Sequence, residues 1–354
     1  MKKEYKEQMD NLHFSQQQKQ QMVDRLMAAQ QPQEIPRRKR RPLHRIAVVG
    51  VAAALALTVG AGATVVYHKL ASESFAGVFG TAETEIVDKI GRPIGASDTS
   101  NGVTITADAI IADKYHYAIT YTLAKDDGTE FDLDFNADDI AKAGYLPLTF
   151  SQWDTNVGVW GGSHGGAYFY DADPQDNAIQ FVEMLEVDQE LKPGIAKVKF
   201  EDLRLHTDTD SRVIAEGNWN LKFDFNFEDT SVSLPTGQEF ELNRMGAVID
   251  EITISPIALR VAYTVDEEIQ WDENAGSGKQ GEHDREQMFK YFESLPVTLT
   301  KTDSTVLDLA GMGGGVEPKD GKTVCSKGTV FDEIIPLEEV DHITVAGIEI
   351  PLHK

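Results

Sequence analysis

Gly161-Gly162-Ser163-His164-Gly165 has the G-x-S-x-G spacing of a nucleophile elbow. In hydrolases that motif works because a strand-to-helix turn exposes the serine hydroxyl to a histidine and an oxyanion hole. Here Ala167-Tyr168-Phe169-Tyr170 and Asp171-Ala172-Asp173-Pro174 follow, which read as strand and turn, with no alternation of strands and helices around them. The match predicts a glycine-rich hairpin, and no catalytic residue is assigned. Gly321-Lys322-Thr323 ends like a phosphate-binding loop, but Val316 stands where the loop's first glycine is needed, so it reads as a turn. Asp132, Asp134 and Asn136 open like a calcium loop. Ala137 replaces its sharp-turn glycine and Ala143 its bidentate glutamate, so the motif fails. Asp171, Asp173 and Asp176, or Asp208 and Asp210, leave a looser calcium site open beside the simpler reading of solvated turn carboxylates. The nine histidines show neither an H-x-x-x-H pair nor a partner cysteine at ligand spacing. No metal and no cofactor is expected, and the chain reads as a non-enzyme.

With chemistry sparse, the elements carry the reading. Residues 46–66 run twenty-one positions without a charge, from Ile46 to Val66. At the helical rise this is about 31 Å, the thickness of a bilayer's hydrocarbon core. Arg37-Arg38-Lys39-Arg40-Arg41 and Arg45 precede it, and basic flanks stay on the cytoplasmic side. Ala61-Gly62-Ala63 resembles a signal-peptide cleavage site, but 45 residues before the run is too long for a signal n-region. The expected topology is a cytoplasmic N-terminus, one transmembrane helix and an extracytoplasmic C-terminus in the cell membrane.

The charge divides at the same place. The chain has 33 basic and 58 acidic side chains; the first 45 residues carry +6 and the remainder −31. An acidic outer part disfavours nucleic acid as a partner and keeps the region soluble. The single Cys325 permits no intramolecular disulfide, so the outer cores must hold themselves, and the thiol reads as a small buried hydrophobe.

Residues 1–45 read as a short helical segment. Tyr5, Met9 and Leu12 recur at helical spacing, Ser15 and Gln18 form a capping box, and Met22, Val23, Leu26 and Met27 share one face. Neither helix can bury its stripe alone, so either the two pack weakly on each other or a cytoplasmic partner covers them, the plainer reading being a tail on the membrane surface. Beyond the membrane the period changes to two: Tyr117, Ile119, Tyr121 and Leu123; Leu221, Phe223, Phe225 and Phe227; Leu259, Val261, Tyr263 and Val265. Such strands place one face in a core and one toward solvent. Helical pattern is scarce, Asp138–Ala143 and His283–Phe292 being the candidates.

An internal repeat is also visible. Asn101–Ile111 with Tyr117–Leu123 is echoed by Met245–Ile254 with Leu259–Val265, and each copy precedes a glycine cluster, Gly161–Gly166 or Gly311–Gly315. The expected architecture is mainly β: two tandem antiparallel β-sandwich domains of Ig-like type at 80–229 and 239–354. They stand on a stalk at 67–79 and are joined by a linker at 230–238.

The chain resembles a membrane-anchored family of Gram-positive bacteria whose ectodomain is known only as domain of unknown function 4179, described as anti-sigma-factor-like. The residues carrying the likeness are Leu12-His13-Phe14-Ser15 with Lys19, Met22 and Leu26, then the basic run and span. Glu85–Ser97 through Tyr121 and the ending Ile343–Leu352 complete it. The resemblance implies that Leu12, Phe14, Met22, Val23, Leu26 and Met27 hold a cytoplasmic sigma factor, while the outer region meets an unidentified extracytoplasmic ligand. Many anti-sigma domains carry a His-x-x-x-Cys-x-x-Cys zinc motif; this inner segment has no cysteine. The alternative is a surface structural or adhesive module that the N-terminal helix merely anchors. An anchor has no use for a capped amphipathic helix.

Overall fold

Asn101-Gly102, Asn243-Arg244, Asp320-Gly321 and Ala346-Gly347 each place two successive residues at positive φ. That backbone matches the right-handed twist of paired strands and closes two-residue hairpins. The Gly321-Lys322-Thr323 segment is thus the start of a strand leaving such a turn. The computed structural model describes residues 70–133, 145–157, 163–173, 176–207, 211–272 and 281–353. The chain divides into two units, Met1–Ala63 and Thr64–Lys354, and every described residue belongs to the second. The apolar run at 46–66 and the helix candidate at 138–143 lie outside the described residues. Among the described residues no helix is long and apolar enough to cross a membrane.

Two short helices, α1 (Ala71–Phe79) and α2 (Thr84–Ile90), lead into strands β1 (Arg92–Ser100), β2 (Val103–Ala112) and β3 (His116–Lys125). After them come β4 (Leu148–Thr155), β5 (Ser163–Tyr170), β6 (Ala178–Val187), β7 (Gly194–His206) and β8 (Ser211–Phe225). The rest of the chain supplies β9 (Val232–Ser233), β10 (Glu239–Leu242), β11 (Met245–Ser255), β12 (Ala258–Val265) and helix α3 (Glu282–Met288), which runs into a π-helical turn at Phe289–Glu293. The last strands are β13 (Val297–Lys301), β14 (Val306–Asp308), β15 (Gly313–Lys319), β16 (Lys322–Val330), β17 (Val340–Val345) and β18 (Ile348–Pro351). The fold is mainly β, and its sheets are antiparallel.

One sheet has the order β1-β2-β3-β6-β5, and β4-β7-β8 faces it across an aromatic core. In that core the Phe150 and Phe200 rings lie 4.4 Å apart, and the indole of fully buried Trp219 donates to the Val103 carbonyl at 2.9 Å. A second sheet has the order β10-β11-β12-β16-β15, and β14-β13-β17-β18 closes a second core with it. Cys325 is buried there, its thiol pushed up to about 12 by desolvation.

The repeat persists in register. Val103 pairs with Ser100 as Met245 pairs with Leu242, and Ala112 pairs with Tyr117 as Ile254 pairs with Leu259. Both hairpins carry a bulge at an aspartate, Asp108 or Asp250. Each aspartate accepts a 2.7 Å hydrogen bond from a threonine on the next strand, Thr122 or Thr264. The glycine clusters supply the edge strands β5 and β15. A Cβ at Gly165 (φ +146) or Gly314 (φ +150) would strike the Met184 or Ser326 carbonyl of the neighbouring strand.

Two expectations are corrected. Alternation in β3 and β12 predicts one solvent face, yet Ala118, Thr120 and Arg260 are buried. The cause lies between the two sheets, where α1, α2, Ile257, Ala258 and Ile334 form a third apolar cluster with Ala109, Ile111 and Ala118. The segment expected as stalk is in part helix α1, whose Phe75 and Phe79 are buried in that cluster. Each core also admits an ionisable side chain. Glu183 pairs with Ile119 and Lys327 with Val261, corresponding positions of the two hairpins, and both are fully buried. Glu183 accepts from the Tyr121 hydroxyl at 2.9 Å, and Lys327 caps the carbonyls of Phe292, Leu295 and Ala310 at 3.2, 3.5 and 2.7 Å.

Candidate functional site

Ser163 lies at the start of edge strand β5, exposed and paired with Val187. It occupies no strand-to-helix turn, so the geometry that exposes and activates a nucleophile is missing. Ser163→Ala is expected to leave any measured phenotype and the melting temperature unchanged; loss of function with an intact fold would show the serine to be chemical. Among the described residues no group of three or more His, Cys, Asp or Glu converges to hold a metal ion.

The chemically dense place is the junction of the two hairpin corners, Asp113–His116 and Ser255–Ala258. Asp113 ends the β2 side and turns the chain by accepting from the Tyr115 and His116 backbone N–H groups at 2.9 and 2.7 Å. Its second oxygen accepts from the Ser255 hydroxyl at 2.6 Å, across 142 residues of sequence, which is the repeat spacing. His116 Nδ1 stands 3.0 Å from the same carboxylate. Arg260, just beyond the second corner, places its guanidinium 4.2 Å over the Tyr115 ring. Its Nη1 reaches Glu251 at 3.1 Å, and its Nε lies 3.4 Å from Glu186. Glu251 also takes Lys114 at 2.8 Å and the Tyr115 hydroxyl at 2.9 Å, and Lys114 reaches Glu190 at 3.1 Å. A continuous chain of charge therefore runs Glu190–Lys114–Glu251–Arg260–Glu186 between the two sheets.

Burial sets the electrostatics. Desolvation alone would raise the Asp113 carboxyl, but the His116 charge and four hydrogen bonds hold it below the ordinary range. Desolvation works against the His116 cation as well, and the Asp113 charge outweighs it, so the imidazole titrates above its ordinary value. Glu251 is likewise depressed, its partial burial overcome by Lys114 and Tyr115. Glu186 differs: desolvation dominates and its carboxyl is raised despite His116 and Arg260 nearby. Glu183, in the first core, is pushed up to about 8 by the same cause.

Two openings flank this network. A cleft of about 720 Å³ borders Tyr115, Glu190, Lys192 and Phe225 on one side. On the other, a pocket of about 270 Å³ between β5 and β15 has Glu186 in its wall.

The six residues expected to hold a partner, Leu12, Phe14, Met22, Val23, Leu26 and Met27, lie outside the described residues. The junction residues escaped sequence reading because Arg260 and Glu186 fall where alternation points outward, toward an expected solvent face. A usable signal was present at Glu183, which interrupts Ile179-x-Phe181-x-x-x-Leu185 on an inward register.

The described residues define a mainly β protein of antiparallel sheets around a buried ionic junction. Residues 41–125 are similar to the family described as Domain of unknown function (DUF4179), a match that runs from the basic run through the apolar segment to the end of β3. A solved structure, "The crystal structure of the conserved domain protein from Bacillus anthracis", is similar at 16% identity, with a TM-score of 0.45, over 72% of this chain and 76% of that one. No curated protein matches the chain.

Proposed function

We propose that this chain is a single-pass membrane regulator of anti-sigma-factor type, with residues 1–45 cytoplasmic, 46–66 across the bilayer and residues 80–354 acting outside as a sensory and binding region. The observation carrying the reading is the inner segment. A capping box at Ser15 and Gln18 followed by an apolar face at Met22, Val23, Leu26 and Met27 is more than an anchor requires. The uncharged run behind five consecutive basic residues supports the topology. We read the outer region as tandem Ig-like sandwiches without catalysis, a reading that the two facing-sheet cores and the placement of Ser163 support.

Burying such side chains in a partner is worth roughly 1.5–3 kcal/mol each, so losing two weakens binding by about a hundredfold or more. Met22→Asp with Leu26→Asp is therefore expected to abolish capture of a cytoplasmic sigma factor and raise transcription of its regulon, with membrane insertion intact. If residues 1–45 recover no transcription factor and the double variant's transcriptome equals wild type, the protein is a surface structural or adhesive module.

A further inference from the structure

We propose that the pocket between the edge strands β5 and β15 binds a small organic cation, through a primary ammonium or guanidinium group, with Glu186 as its counter-charge. His164, Gly166, Glu186, Gly313, Gly328 and Asp332 line it. The Glu186 side chain is 4% exposed, yet neither of its carboxylate oxygens accepts a hydrogen bond. A carboxylate offers about four acceptor sites, and a buried one left unmet is costly. The carboxylate packs against Gly328, another residue of the pocket wall, where a Cβ would collide with it.

The charge count points to the ligand. The junction network holds Asp113, Glu186, Glu190 and Glu251 against Lys114, His116 and Arg260. Lys114 is spent on Glu190 and Glu251, His116 on Asp113, and Arg260 directs its Nη1 to Glu251. The Arg260 Nε stands near Glu186 without donating to it. The network thus holds one acid more than it has bases, and Glu186, whose oxygens have no donor, lines this pocket, with Asp332 in the same wall and Asp188 close by. An anion would meet the Glu186 and Asp332 carboxylates there, with His164 the basic side chain in the wall. A metal ion lacks a converging ligand set among the described residues. A donor-bearing organic cation supplies both the missing charge and the missing N–H groups, and about 270 Å³ restricts it to the size of an amino-acid side chain or a short amine.

This names a ligand class for the sensing part of the regulator reading and rests on that reading only for its physiological meaning. Binding is measured directly, so its failure and a failure of sigma-factor capture are separate results. The test titrates the full chain with agmatine, n-butylamine and a capped Gly-Arg-Gly peptide, with n-butanol and calcium chloride as controls, by calorimetry and thermal melting. At least one cation is expected to bind and raise the melting temperature, while n-butanol does not. Glu186→Gln should weaken that binding at least tenfold, with its far-ultraviolet circular dichroism unchanged. Asp332→Asn, on the pocket wall and outside the ion-pair chain, should weaken it by a smaller factor and guards against a folding defect at Glu186. Binding of the free amines alone assigns a free metabolite-sized ligand, and binding of the peptide assigns an arginine side chain; both support the proposal. No binding by any of the three cations, equal binding by Glu186→Gln, or stabilisation by calcium alone overturns it.

Discussion

Arg260→Met is expected to lower the melting temperature of the outer unit by about 10 °C. Its guanidinium sits between Glu186 and Glu251 and covers the Tyr115 ring, at 7% exposure. Removing one partner of a buried ion pair leaves charge uncompensated and costs about 3–5 kcal/mol. In a larger domain each kcal/mol shifts the midpoint by roughly 2–4 °C. The effect should exceed what methionine's good packing restores, because Glu186 already lacks hydrogen-bond partners. Differential scanning calorimetry checks it, with Arg260→Lys as an intermediate case that keeps the charge but loses the planar fork. A shift below about 2 °C would mean that water reaches the network and screens it.

The second large effect is a dependence on pH. Glu183 is fully buried and titrates at about 8, because desolvation disfavours its charged form more than the Tyr121 hydroxyl favours it. Its folded value lies above the ordinary 4.5. Between those two values the folded state therefore keeps a proton that the unfolded chain has released. Stability from this group is fully present below the ordinary value and declines as pH rises through the window. Each pH step of one across that window is worth about 1.4 kcal/mol, so the loss reaches several kcal/mol near pH 8. Glu183→Gln replaces the protonated carboxyl with a neutral amide of the same shape. Its melting temperature should match wild type near pH 5 and exceed it by roughly 10 °C near pH 8. Parallel curves for the two proteins across that range would show that the carboxyl is already charged and accommodated.

Much of the scaffold was legible in residue order, and the reasons differ by element. β3, β8 and β12 declared themselves because their apolar alternation is long and enriched in aromatic and β-branched side chains. The repeat was legible for the same reason, and its shared bulges at Asp108 and Asp250 follow from aspartates at matching places. The helix over 282–288 with its π-helical turn also sits where His283–Phe292 has helical spacing. The junction was not legible. Asp113 and Ser255 meet across 142 residues, and nothing local to either announces the other. Arg260 between Leu259 and Val261 looks like an ordinary outward residue until a second sheet covers that face. Helix α1 was missed because only Phe75 and Phe79 mark its buried side, one turn apart, in a stretch otherwise of small and polar residues.

Cys325 gives the second core a built-in reporter. The thiol is fully buried, within 3.6 Å of the Tyr291 carbonyl, and desolvation keeps it protonated to about pH 12. Thiolate is the form that reacts with alkylating and disulfide reagents. An encounter between such a reagent and the closed core is therefore silent, and modification counts openings of β16 one at a time. Because the sequence holds a single cysteine, no other thiol blurs the signal. Labelling half-lives read under native conditions would time the breathing of the C-terminal core alone, in intact cells as readily as in a cuvette.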